Sequence, residues 1–594
     1  MNATLAKLGH SSVLRIDRDI GRKSPLMLAF VIALWLGPLA LYGPRLLRIV
    51  TSSTAIAEFI VLLAYSFMLV IFWLLAAYYI SVVIFAALTR NDTPRAALMG
   101  EHWPAVALLY PTCNDFQLEA ITTCLNQDYP DFHVFLLDDS TRQEYRDMAD
   151  AFQAAHPDKT TVVRRSDRQG YKAGNLNHAL RGPAATYPLF AVVDADERLP
   201  EDFLHRAVPH AVDPRTAFVQ ANHAPNPKQT SMFSVDIGPT ILPFWDVHCR
   251  PRNRFGFVVF VGHGAVVRYD AWKVVGGFPE IVTEDLGFSA LLAQNGLRGV
   301  YLPDLLCFED FPSNYSAFKR QQERYVVGST QALGRFLWPL VKSKQVSLVE
   351  KLDFCLWCTP LYVPALCLLY ALICVVGLPL VFGRWEDVTF TLFGHELILH
   401  GLRILDRQLA PLWLIDFQLY SVLVALAPAL ASVMLGMQGK LRLGRLLLLS
   451  TAPYLSLMIV SWRGILGYLV FGRTLWPPTG ESAQMHPASS GTSSGRSAAA
   501  QMEWKTRRVT VQHWEVGVGL TLAAASLLSF NLALFAVSCC LLIGRWIELT
   551  GWERLPVRIA IASCFILIVA QMVINVLMLF ESPGVVPLVF SVHF

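Results

Sequence analysis

Charge is what this chain has least of. Only 16% of its 594 residues are charged, and lysine plus arginine exceed the acids by four. So small an excess gives no footing for a nucleic-acid partner, whose phosphates demand a basic surface. A disulfide framework is missing too. The eleven cysteines are scattered, many inside apolar runs, and none has zinc-ligand spacing. Cys355 and Cys358, in "CLWC", have redox spacing but open an apolar helix, so they read as membrane-helix packing. No small-residue cleavage site follows the first apolar run, near Pro25. That predicts a retained anchor rather than a cleaved signal peptide.

Apolar length is what the chain has in excess, with 54% hydrophobic residues. Six runs reach the roughly 17–25 residues needed to span a bilayer: 24–43, 55–88, 355–382, 412–436, 515–544 and 557–580. A seventh, 445–472, holds Pro453 and Arg463 and reads as an interfacial or re-entrant segment. Basic residues cluster in the N-terminal tail, at 437–445 and at 473–512. Placing all three clusters in the cytosol puts the long polar stretch after the second run there as well. The Ser/Gly/Ala-rich segment 483–501 reads as a flexible linker.

The polar stretch alternates short apolar runs, "AVALLY" (105–110), "FHVFLL" (132–137), "LFAVVD" (189–194) and "AFVQA" (217–221), with helix-like segments. This predicts an α/β domain with a mostly parallel sheet, whose ligands sit beyond the carboxyl ends of the strands. Carboxylates fall at those ends. Asp194 and Asp196 close one run; as residues i and i+2 of an extended chain they point the same way. Two hard oxygen donors so aimed suit Mg²⁺ or Mn²⁺, although such triplets also cap helices or solvate turns. Asp138 and Asp139 close a second run, and Glu284 and Asp285 form a third acidic turn. Three acidic clusters share one site only with cations among them: a divalent ion, Lys172 in "YKAGN" and Arg324 in "QQERY". The inferred ligand is a metal-bound diphosphate.

In this order, DD, KAGN, DAD, TED and Q-x-x-R-aromatic, over about 104–335, the chain resembles the processive family 2 glycosyltransferases. That family holds the bacterial cellulose synthase catalytic subunit and other β-glycan synthases. The resemblance implies a GT-A (Rossmann-like) cytosolic domain inserted in an α-helical transmembrane bundle of about six spans. The corresponding divisions are 1–99, 100–345, 346–475, 476–512 and 513–594. It implies that Asp139 contacts the nucleotide base and Lys172 the diphosphate. Asp194 and Asp196 would form the metal pair, with Asp196 the direct ligand. Asp285, beside Glu284, would be the general base. Gln321 and Arg324 would meet the diphosphate and acceptor, and Tyr325 would stand in for an acceptor-stacking tryptophan. Thr112 and Asp115, in "PTCND", occupy the family's first nucleotide-binding motif. His263, in "VGHG", either touches acceptor or phosphate or is a structural histidine. Trp504, Lys505 and Thr506 resemble a gating loop without its proline; a basic flank at the membrane face explains them equally.

The expectations that follow are an inverting, processive hexosyltransferase with Mg²⁺ or Mn²⁺ as cofactor. It would take a nucleotide sugar, UDP-glucose by default with UDP-N-acetylglucosamine and GDP-mannose open, and pass a growing β-linked polysaccharide through the lipid bilayer of a bacterial inner membrane, with export subunits as partners. Phe72, Trp73, Trp357, Tyr362 and Trp413 are candidates for contacting the polymer, or are ordinary membrane-face aromatics. The alternatives are a non-processive transferase acting on a lipid carrier and an inactive membrane scaffold or transporter.

Overall fold

The structure, a computed structural model, describes residues 23–392, 395–405, 440–471, 513–527, 532–579 and 591–593. Two apolar helices come first, α1 (Leu26–Thr51) and α2 (Ile56–Leu88). They pack side by side, and the Trp35 indole donates to the Val70 carbonyl at 3.1 Å. At 33 residues α2 rises about 50 Å, more than a hydrocarbon core needs. Its far end is accordingly buried against the α/β domain. There the Arg252 guanidinium holds the Asp353 carboxylate at 3.0 and 3.1 Å and donates to the Tyr78 hydroxyl at 2.5 Å. This buried network fastens the domain to the helices beneath it.

The domain is built on one seven-stranded sheet. In chain order the pieces are β1 (Val106–Thr112), β2 (Phe132–Asp138), β3 (Thr160–Val163), α3 (Tyr171–Arg181), β4 (Leu189–Val192), β5 (Thr216–Pro225), β6 (Ala265–Arg268), α4 (Glu284–Gln294), β7 (Arg298–Glu309) and α5 (Tyr315–Lys342). Across the sheet the strands run β3-β2-β1-β4-β6-β5-β7. All of β1 and β4 is buried, as central strands covered on both faces require, and this is why they read as unbroken apolar runs. The expectation of a mostly parallel sheet holds for β1–β4 and for β5 with β7. It fails at β6, which is antiparallel to both β4 and β5. Because β6 runs backwards, its start lies level with the end of β4 and the middle of β5: Ala265 is in register with Val192 and with Gln220. The turn at 262–264 is thereby delivered to the edge where β1, β2 and β4 terminate.

Among the described residues, three helices are long and apolar enough to cross a membrane, or five if each of two bent pairs is one span. The expected run 355–382 is not one straight helix. Leu348–Trp357 and Thr359–Leu372 meet at 56°, with Pro360 just inside the second, where its ring and missing N–H break the ladder. Segment 445–472 forms a second bent pair, 42° at its break, compatible with its re-entrant reading. The expected single span 515–544 is corrected to two helices lying side by side. Val518 and Leu522, in helix 513–527, share an apolar cluster with Val537 and Leu541 of Leu532–Thr550. Buried Glu515, paired with Lys319 of α5 at 2.6 Å, holds the first of these helices by the domain. Leu555–Leu579 matches the last expected run, and 412–436 lies outside the described residues. A hairpin foreseen by no pattern, β8 (Gly383–Leu392) with β9 (His395–Leu405), takes β10 (Ser591–His593) as a third antiparallel strand.

Candidate active site

Strand ends decide the site. Thr112 ends β1 level with Asp138 at the end of β2, and the Asp194–Asp196 turn follows β4 immediately. Thr112 donates to Asp115 at 2.9 Å, and the Cys113 N–H donates to the same carboxylate oxygen at 2.6 Å, folding the first motif into a tight turn. Burial raises the Asp115 carboxyl above its usual range despite those donors. Asp139 is gripped through both oxygens by Arg165, at 2.9 and 2.6 Å, a fork-to-carboxylate pairing that fixes its orientation. Arg165 also donates to the Gln169 and Tyr171 carbonyls. The strand end is thereby tied to the start of α3, which carries Lys172.

Lys172 lies at the centre. Its ammonium donates to Asp194 Oδ1 at 2.5 Å and to the Gly262 carbonyl at 3.0 Å, and stands 3.9 Å from Glu284. Burial alone would lower its pKa; Asp194 and Glu284 outweigh that and raise it, so the lysine is charged. Burial likewise works against a charged Asp194, but Lys172 and then His263 hold that carboxyl below the usual range. Asp196 differs. Burial, then Asp194, Glu309 and Asp310, push it well above the carboxylate range. A hard-donor pair with one member crowded by acids and short of positive charge fits a divalent cation, which would relieve that crowding. Burial also raises Glu284 to about 7, with Asp285 adding to the rise, and burial lifts Asp285 as well. Asp285 Oδ1 accepts the Leu286 N–H at 2.7 Å.

The T-E-D turn is held from behind by α5. Asn314 caps that helix, accepting the Ala317 N–H at 2.9 Å. Arg324, Gly328 and Gln331 share a face at helical spacing. Gln331 accepts the Val282 N–H at 3.1 Å, and Gly328 lies directly against Thr283. Tyr325 is half-exposed, with the Arg324 guanidinium 5.8 Å from its ring centre. Enclosure of its hydroxyl end raises that group to about 12, with Glu309, Asp285 and Asp194 within electrostatic range. His263 sits between two carboxylates, Glu197 Oε2 at 3.5 Å and Glu309 Oε2 at 3.6 Å; against the effect of burial, Glu197, then Asp194 and Glu309, lift it to about 10.

Asp115, Asp139, Lys172, Asp194, Asp196, His263, Glu284, Asp285 and Tyr325 thus come to one edge of one sheet, with Gln321 and Arg324 on the helix that braces it. Trp504, Lys505, Thr506 and Trp413 lie outside the described residues. Phe72 and Trp73 are buried among helices; Trp357 lies under the Arg252 guanidinium and Tyr362 bonds Thr330 at 3.1 Å. Sequence reading missed Arg165, Glu197, His223 and Glu309. Arg165 left a trace in the basic run before KAGN. Glu197 left none, because an acid after a turn reads as solvated.

Residues 189–471 match the family model described as glycosyl transferase family group 2. The motifs from Thr112 to Lys172 precede that match. Probable glucomannan 4-beta-mannosyltransferase 9 of Oryza sativa subsp. japonica is 28% identical over 288 residues, 45% of this chain and 53% of that protein. Probable glucomannan 4-beta-mannosyltransferase 1 of Arabidopsis thaliana is 29% identical over 266 residues, 42% of this chain and 47% of that protein. The chain spans about half the length of the curated relatives it matches. Among solved structures, mannosyltransferase PcManGT from Pyrobaculum calidifontis, in complex with GDP-Man and Mn2+, overlays loosely. Its TM-score is 0.40 at 19% identity, covering 68% of this chain and all of that one.

Proposed function

We propose that this chain, which carries a glycosyltransferase family 2 domain, extends a β-linked polysaccharide from a nucleotide-activated hexose at a membrane face and feeds the product into its own helices. One observation carries this reading: Lys172, Asp194 and Glu284, distant in sequence, lie within hydrogen-bond or ion-pair reach at the carboxyl edge of the sheet.

Asp285 takes the proton from the acceptor hydroxyl as it attacks the anomeric carbon. Its Oδ1 is held by a backbone N–H, which leaves Oδ2 for the substrate. The departing nucleoside diphosphate gains charge, and Lys172 and Arg324 stabilise it in a partly enclosed cleft. Asp194 and Asp196 would hold a divalent cation, which when bound neutralises diphosphate charge. A single displacement inverts the anomeric centre. Tyr325 offers an aromatic face to an acceptor sugar.

For the donor, the open mannose alternative is favoured over the default glucose, because the matched relatives are named as glucomannan mannosyltransferases. We assign the polymer as a β-mannan made from GDP-mannose. The purified protein, given radiolabelled GDP-mannose, UDP-glucose and UDP-N-acetylglucosamine with Mn²⁺ or Mg²⁺, should build a long labelled polymer from the first and lose this with EDTA. Polymer from UDP-glucose alone refutes the mannose assignment. A single-sugar lipid product indicates transfer to a carrier, and absence of nucleotide binding indicates a scaffold.

A further inference from the structure

Beneath the D-x-D turn lies a carboxylate that the reaction above does not use. Glu197 is fully buried, yet its carboxylate gathers four groups. Oε2 accepts the N–H of Asp194 at 3.1 Å and the N–H of Gly264 at 3.0 Å, and faces His263 Nδ1 at 3.5 Å. Oε1 is 2.7 Å from His223 Nε2, and His223 is itself fully buried beside Trp245, ring centres 4.4 Å apart.

These contacts close a ring. Asp194 is bound through its side chain to Lys172, and Lys172 to the Gly262 carbonyl. Two residues on, the Gly264 N–H is bound to Glu197, and Glu197 to the Asp194 N–H. The ring joins two turns from different strands, one after β4 and one before β6. Gly264 is built for it: φ is +56°, and a Cβ there would overlap His223 Nε2 and Glu197 Oε1. The same carboxylate belongs to the one group of potential metal-ligating side chains found among the described residues, Glu197, His223 and Cys307. That cluster is accounted for without an ion, since Glu197 already bonds His223 and both backbone N–H groups.

Resting on the transferase reading, we propose that Glu197 is a positioning residue: it locks the D-x-D turn to the 262–264 turn and so aims the Asp194 carboxylate at the divalent cation. Groups that hydrogen-bond to metal-ligating elements typically set affinity by about 10–100-fold. Glu197→Gln keeps the volume but removes the charge and leaves one acceptor oxygen in place of two, so the grip on the two backbone N–H groups and His223 is weakened.

The test measures Mn²⁺ affinity of the purified full chain by electron paramagnetic resonance, with GDP and UDP in separate arms, beside nucleotide affinity without metal and a melting curve. The expected result for Glu197→Gln is Mn²⁺ binding weakened about tenfold, with metal-free nucleotide binding within about twofold of wild type. Mn²⁺ affinity equal to wild type overturns the inference and leaves the transferase reading standing. A wild-type chain that binds neither Mn²⁺ nor nucleotide overturns both. If Glu197→Gln does not melt cooperatively, Glu197→Asp decides, since it keeps the charge but draws the carboxylate back by one methylene, out of reach of both N–H groups at once. Weakening of about threefold or more supports the ring, and wild-type affinity overturns it.

Discussion

The contact between α5 and the T-E-D turn makes a sharp prediction at Gly328. A Cβ at this position would stand 3.1 Å from both the backbone nitrogen and the hydroxyl of Thr283, and well inside contact with its methyl. Rotating Thr283 cycles its hydrogen, hydroxyl and methyl through the space, but the backbone nitrogen at 3.1 Å stays where it is. Gly328→Ala must therefore part helix and turn by several tenths of an ångström to about 1 Å to reach ordinary contact. Overpacking of this kind costs about 1–3 kcal/mol, and the gain in helix propensity returns about 1 kcal/mol. Stability should thus fall by about 2 kcal/mol at most. The chemistry should suffer more, since Asp285 rides on the displaced turn and a misplacement near 1 Å costs roughly 100-fold in turnover. Hexose incorporation from the labelled nucleotide sugar gives kcat, nucleotide titration gives binding, and a melting curve gives stability. Gly334→Ala, on the same helix but facing the ring edge of Tyr468 at 3.3 Å, is the control and should keep wild-type turnover. Full turnover in Gly328→Ala with an unshifted melting point would refute the claim that this contact sets the base.

Three further outcomes follow from the same geometry. Asp285→Asn should retain nucleotide binding and lose turnover by at least about 100-fold, measured as kcat against nucleotide affinity; turnover near wild type removes it as the base. The acid limb of the kcat/KM profile should lie above the ordinary carboxylate range, because burial raises the carboxyl of Asp285, the proposed base, so protonation disables it as pH falls. Glu284→Gln removes a neighbouring negative charge and should move the limb to lower pH. Asp353→Asn breaks a buried pair with Arg252 and should destabilise the fold by about 3–5 kcal/mol in a thermal or denaturant melt.

The motifs were legible because each rests on local chemistry. Apolar strands announce themselves by composition, and a carboxylate where such a strand stops has few bland explanations when the pattern recurs. Asp139 and Asp194 could be singled out on those grounds, while Asp285 stood out in a third acidic turn and Lys172 as a cation to neutralise them. The span at 515–544 was misread for a related reason: hydropathy counts apolar length but cannot see that Glu515 will pair with Lys319 and that the run will turn back on itself. The roles of Arg165, which left only a trace in a basic run, and of Gly328 were not legible because they depend on partners 26 and 45 positions away.

By itself the sequence determined which residues could do chemistry, since side-chain charge and strand periodicity are properties of short segments. It also determined that long apolar helices flank the domain, because hydropathy is additive along a run. Only the tertiary structure decided that β6 runs antiparallel and brings the 262–264 turn to Lys172, and that Glu197 is a buried hub rather than a solvated acid. Those outcomes depend on strand order and on which groups exclude water together, and neither is a property of any one stretch of chain.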